Sequence, residues 1–237
     1  MKKLGLVMAV CLGVALGVGC SSPGGADGAS DSDLVASTLT VEQCKAPKVA
    51  TSPLADASGT AIVGSAHTKL DGCVVGGHGE TGDAVLARVV TILENTASIG
   101  LVKDATGKPV FERFTPAAKT GSLATTQKQD IDVTLAMAHS PTTTLHIEMK
   151  EATGVLTVTI VNSAAVKASI FGVTAVAQGD LKLNMQVKPA ANGVVVTGTA
   201  QIVLQQQQDQ AAGASLLVKS LFGWLGEQLA KTAPPGA

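Results

Sequence analysis

Between residues 131 and 187 the chain repeats one pattern, short segments in which every second residue is apolar. Ile131, Val133, Leu135 and Met137 alternate with Asp132 and Thr134, and Leu145, Ile147 and Met149 with His146 and Glu148. Leu156, Val158 and Ile160 alternate with Thr157 and Thr159, and Leu181, Leu183, Met185 and Val187 with Lys182, Asn184 and Gln186. A period of two is that of β-strands, whose side chains point to opposite faces in turn. Ser140-Pro141, Glu151 to Gly154 and Pro189 to Gly193 supply the turns. Connections this short join antiparallel neighbours, since a parallel pair needs a crossover of about a dozen residues. One apolar and one polar face per strand describes a sheet covered on one side. Leu101 to Asp104 and Pro109 to Phe111 read as an earlier hairpin, residues 168–177 as a less regular run, and 194–205 as a long last strand.

The cover comes from segments with helical spacing. In residues 83–95, Val85, Leu86, Val89, Val90 and Leu93 form an apolar stripe, with Arg88 and Thr91 off it. In residues 215–231 the stripe is Leu217, Val218, Leu221, Leu225 and Leu229, with Lys219, Ser220, Gly223, Glu227 and Lys231 opposite. Ser215 is placed to cap this helix, and Pro234-Pro235 forbids its continuation. The expected fold is α+β: a mainly antiparallel meander of about six or seven strands, covered on one face by the C-terminal helix and by a second helix near 83–95. Leu217, Leu221, Leu225 and Leu229 should be buried against the sheet. The competing account lays this helix in a membrane surface with Trp224 as anchor, but only Lys219 and Lys231 are available to its polar face. Residues 34–79 read as weak strands and loops.

The start of the chain has a different character. Lys2 and Lys3 precede an uncharged, largely apolar stretch to Gly19, the layout of a secretory signal and short for a membrane span. It ends in Leu16-Gly17-Val18-Gly19-Cys20. This resembles the lipobox of bacterial lipoproteins, with Gly17 where the family prefers Leu. The resemblance implies cleavage before Cys20, acylation of that cysteine and membrane residence through its lipid. Several acyl chains are needed, since one binds only marginally. Ser21 resembles the outer-membrane sorting class more than the inner. Residues 21–33, SSPGGADGASDSD, contain nothing that can bury a face and read as a tether. The expected organisation is a signal peptide over 1–19, a lipidated cysteine and tether over 20–37, one globular domain over 38–232 and a tail over 233–237.

In an exported chain Cys11 leaves with the signal and Cys20 takes the lipid. Cys44 and Cys73 remain, an even pair in a compartment where disulfides persist, and are expected to bond. A net charge of −1 gives no footprint for nucleic acid. The chain has no Tyr, one Trp and four Phe, so aromatic platforms for sugars or single strands are scarce and the core must be built from Val, Leu, Ile, Ala and Met.

Gly77, Gly79 and Gly82 spell G-x-G-x-x-G between a short apolar run and the first helix, with Asp104 downstream. This is the local form of a dinucleotide-binding turn. The antiparallel strands that follow lack the strand–helix alternation of that fold, and Leu70-Asp71-Gly72 reads as a break in the strand before it. The expected role is a glycine-rich loop, with Glu80 and Asp83 near the positive helix N-terminus. His67, His78, His139 and His146 show no zinc spacing, and G-x-S-x-G, S-x-x-K and phosphate-loop motifs are absent. No catalytic residue, metal or cofactor is expected.

A helix in the middle, a run of antiparallel strands and a C-terminal amphipathic helix, over about residues 80–231, resemble the helix-grip plan of START-like lipid-carrier domains. That resemblance implies an apolar ligand between sheet and helix. The expected function is a non-enzymatic, lipid-anchored envelope protein binding an apolar ligand or a partner protein. The alternative is an extracytoplasmic enzyme with a site around His67 and His78.

Overall fold

A computed structural model describes residues 38–45, 47–62, 65–76, 79–137, 142–167, 174–176, 178–203 and 211–231. The strands are β1 (Lys48–Ser52), β2 (Ser65–Val75), β3 (Phe111–Pro116), β4 (Thr120–Ser122), β5 (Lys128–Met137), β6 (Thr143–Ala152), β7 (Val155–Asn162), β8 (Val166–Lys167), β9 (Thr174–Val176), β10 (Leu181–Pro189) and β11 (Gly193–Val203). The helices are α1 (Gly82–Glu94), the short α2 (Leu123–Thr126) and α3 (Ala211–Lys231), with a 3-10 turn over Thr96–Leu101. The fold is α+β, a mainly antiparallel sheet covered on one face by α1 and α3. Nine strands form one antiparallel sheet in the order β1-β2-β11-β10-β7-β6-β5-β3, with β4 also on β5, while β8 and β9 form a separate ribbon.

The alternating segments of the sequence are β5, β6, β7 and β10, as expected. The hairpin between β6 and β7 turns on Thr153 and Gly154, both at positive φ (52° and 73°), the combination that two-residue hairpins favour. The expected hairpin over 101–111 is present in minimal form: Lys103 bridges Pro109 and the Val110 N–H donates to the Val102 carbonyl, with a 3-10 turn before it and a ladder strand only from Phe111 onward. One reading is corrected. Leu70-Asp71-Gly72 does not break a strand: it lies inside β2, which pairs with β11 over its whole length from Ser65 to Val75. β2 therefore joins the first and last strands of the domain, which a simple meander would leave apart.

α1 begins at Gly82, where the Thr81 hydroxyl accepts a bond from the Ala84 N–H. It packs on β10 and β11, while α3 packs on β1, β2 and α1. Val85, Leu86, Val89 and Ile92 of α1 share one core with Trp224, Leu225 and Leu229 of α3 and the inward residues of the sheet. α3 starts four residues before the expected cap at Ser215, and the Leu217 and Val218 side chains lie outside the described residues. Leu225 and Leu229 are buried and Leu221 is half-buried on the same core. Ser220, expected on the polar side, is buried as well. Trp224 is 6 % exposed, so it is a core residue and the helix does not offer it to a membrane.

A smaller cluster of Leu39, Cys73, Ala190 and Val195 lies on the opposite face, where residues 38–45 cross the sheet. Leu39 holds the chain there through both of its backbone groups, which bond the Asn192 side chain at 2.7 and 2.9 Å. Cys44 and Cys73 form the expected disulfide, with Cα atoms 4.8 Å apart, inside the roughly 7 Å limit for a bridge.

Candidate functional site

The register of the ladder brings apolar side chains of four strands onto one inner face. Ile160 stands opposite Ile147 on β6 and Leu183 on β10, and Val158 opposite Met149 and Met185. Val133 stands opposite Leu145. Their burial is uneven. Ile131, Val133, Ile147, Met149, Leu156, Val158 and Val187 are buried. Leu135, Leu145, Ile160, Leu183 and Met185, on the same face, are only half-buried. These five form a floor of half-buried apolar side chains across the middle strands, with Thr143 opposite Leu135 and Asn162 opposite Leu145 on the same face. Gly198, between Leu70 and Met185 in the register, keeps β11 low, and a Cβ there would come within 2.8 Å of the Asn184 carbonyl oxygen.

Between α1 and α3 lies a buried ion pair that the sequence pattern did not reveal. The Arg88 guanidinium, expected off the buried stripe of α1, is instead 6 % exposed. Its Nη1 donates to Glu80 Oε2 and its Nη2 to the backbone carbonyl of Leu229. The Glu80 side chain is 5 % exposed. Arg88 thus ties the approach to α1 to the last turn of α3. The only sequence signal was a lone cation within an apolar helix. Glu80 Oε1 and Trp224 Nε1 are buried with no hydrogen-bond partner among the described residues. At the far end of α1, Ser122 Oγ donates to Glu94 Oε1, and Lys119 Nζ stands 3.5 Å from the same carboxylate. The Ser122 bond, aided by Lys119, holds the Glu94 carboxyl below its ordinary range.

The glycine-rich run is explained by close packing at two positions. A Cβ on Gly82 would overlap the Ala190 carbonyl, and one on Gly76 would come within 2.5 Å of Val85 Cγ2. Both seat α1 against the β10–β11 turn. Gly77 and His78 lie outside the described residues, as does His139. His67 is half-buried on β2, opposite Ser52 and Gln201, and has no carboxylate partner among the described residues. The structure therefore does not bring His67 and His78 together as a described pair. His146 points outward from β6, with Nδ1 3.0 Å from Asp132 Oδ1 and Nε2 3.8 Å from Asp130 Oδ1. Among the described residues no group of three or more His, Cys, Asp or Glu is placed to hold a metal. Cys20 lies outside the described residues.

A second concavity opens beside the disulfide. It has a volume of about 420 Å³ and lies between the segment containing Val41, Cys44 and Lys45 and the α3 residues Lys219, Phe222, Gly223 and Gly226.

No family model and no curated protein matches the sequence. Among solved structures, a STAR-related lipid transfer protein from Xanthomonas axonopodis superposes with a TM-score of 0.48 at 13% identity, covering 79% of this chain and 95% of that one. The human StarD13 lipid transfer and protein localization domain gives 0.42 at 12% identity, covering 70% and 78%. The Zhui aromatase/cyclase from Streptomyces gives 0.42 at 14%, covering 73% and 99%. At these values no family or ligand is assigned from them, and the site rests on its own geometry.

Proposed function

We propose that the protein is a lipid-anchored envelope protein whose α+β domain holds an apolar ligand against the inner face of its sheet. The observation that carries this reading is the half-buried floor of Leu135, Leu145, Ile160, Leu183 and Met185. Side chains of this kind gain by leaving water, about 25 cal/mol for each Å² of apolar surface covered. The flanking rows of the same face are already buried under α1 and α3. An aliphatic ligand laid along the floor would complete the cover. The floor is aliphatic and uncharged, so the ligand class is a hydrocarbon chain rather than a sugar or nucleotide. The lipobox-like ending at Cys20 supports anchoring, and Ser21 supports the outer membrane.

Native mass spectrometry of the chain purified from its own envelope tests the ligand. The expected result is a co-purifying apolar molecule that is lost in Ile160→Asn and retained in Thr159→Asn on the opposite face. A chain that carries nothing, and whose melting temperature is unmoved by added fatty acid or phospholipid, would refute the carrier reading. Fractionation of cells producing Cys20→Ser tests the anchor separately. The variant should leave the membrane, and full membrane retention would refute it.

A further inference from the structure

The concavity beside the disulfide is separate from the sheet floor. β1 pairs with β2 only as far as Asp71, so among the described residues the β2 edge from Gly72 to Val75 has no strand on that side. The disulfide-bonded segment and α3 stand on either side of this edge. The walls are Val41, Pro47, Val74, Val75, Phe222 and the disulfide itself, and both charged residues that line the space are cations, Lys45 and Lys219. Lys219 is exposed and makes no ion pair with a described residue. Lys45 meets Glu42 at 3.7 Å, with both side chains largely in solvent. Glu227, the single acid of α3, lies 3.5 Å from Lys231. Val41 is 76 % exposed, an isolated apolar side chain at the rim. A Cβ on Gly223 or Gly226 would meet nothing within 4 Å, so packing does not require glycine, the poorest helix former after proline, at either position.

The position of the chain's N-terminal side indicates what this end faces. Thr38 is three residues before Val41, so the two lie within about 11 Å of one another. Residues 20–37 precede Thr38, and on the tether reading of their composition a segment of that length spans about 23 Å on average. With Cys20 in the membrane, this is the end of the domain held nearest the bilayer. We propose that it docks on a bilayer surface carrying anionic phospholipid. Val41 enters the headgroup region, and Lys45 and Lys219 meet lipid phosphates. Tethering raises the local concentration of the surface and so adds to a contact that the unlipidated chain makes by itself. The tether step rests on the lipid-anchor reading, whereas the cations and the exposed valine do not.

The test uses the mature chain with Cys20→Ser, which carries no lipid, floated with vesicles of phosphatidylcholine alone or mixed with phosphatidylglycerol. The chain should partition onto the mixed vesicles and release as salt rises. Lys45→Ala and Lys219→Ala should each weaken partitioning about fivefold, and Val41→Asp should abolish most of it. Lys182→Ala, on the outer face of the sheet, should leave it unchanged. No partitioning onto mixed vesicles overturns the proposal, as does partitioning that Val41→Asp and Lys219→Ala leave intact, or uptake of lipid monomers without flotation of the protein. Intact mass of the Cys20 chain reads the anchor independently, so an unlipidated cysteine and a non-binding surface are distinct failures.

Discussion

Arg88→Ala perturbs a place where α1, its preceding loop and the end of α3 are joined by charge. In the native chain the guanidinium, 6 % exposed, serves Glu80 and the Leu229 carbonyl together. Removing it leaves a carboxylate at 5 % exposure without that countercharge, and a carbonyl without that donor. Breaking a buried pair from one side costs about 3–5 kcal/mol, and we expect about 4 kcal/mol here. The same physics sets a second expectation. Arg88→Met with Glu80→Leu removes both charges and fills similar volume, so the double variant should recover to within about 1 kcal/mol of the parent. Urea unfolding measures both. Trp224, the sole tryptophan and a core residue on α3, reports the helix by fluorescence, and circular dichroism reports the sheet. An Arg88→Ala loss below about 1 kcal/mol, or a double variant no more stable than the single, would refute the assignment of a buried, mutually dependent pair.

Leu229→Ala, at a position 1 % exposed, should cost about 2–5 kcal/mol by calorimetry, while Lys231→Ala in the adjacent exposed turn should change little. Equal effects would show that α3 is not packed as described. Glu94 has a carboxyl held below its ordinary value of 4.5 by Ser122 and Lys119. A depressed carboxyl stabilises the fold above its unfolded value, and that contribution fades as pH falls through the folded one. Glu94→Gln should therefore lower the melting temperature at neutral pH, with the gap to the parent closing in acid below the carboxylate range; a gap independent of pH would contradict it. Replacing Cys44 and Cys73 together by Ser opens a loop with a sequence separation of 29 residues. Loss of about 3.5 kcal/mol is expected from denaturant midpoints, and an unchanged midpoint would show that the bridge restrains nothing.

Local periodicity determined most of the architecture. Alternation placed Ile147, Met149, Leu156 and Val158 on one buried face, because a strand leaves no choice about which residues share a side once one is buried. Helical spacing likewise placed Val85, Leu86 and Val89 inward on α1 and Leu225 and Leu229 inward on α3. Two isolated cysteines were enough to indicate the bridge between Cys44 and Cys73. What escaped depends on partners far away in the chain. β2 carries Thr68 and Gly72 on its covered side and shows no clean alternation, yet it is a full-length ladder strand because β11 pairs with it from Ser65 to Val75. Helical spacing puts Arg88 off the apolar stripe, since nothing local announces that Glu80 and the Leu229 carbonyl will meet it. The half-buried floor was also beyond local reading: Leu135, Ile160 and Leu183 carry the same pattern as their buried neighbours. Period fixes the side of the sheet a residue faces, but only the placement of α1 and α3 across that sheet decides how much of it is covered.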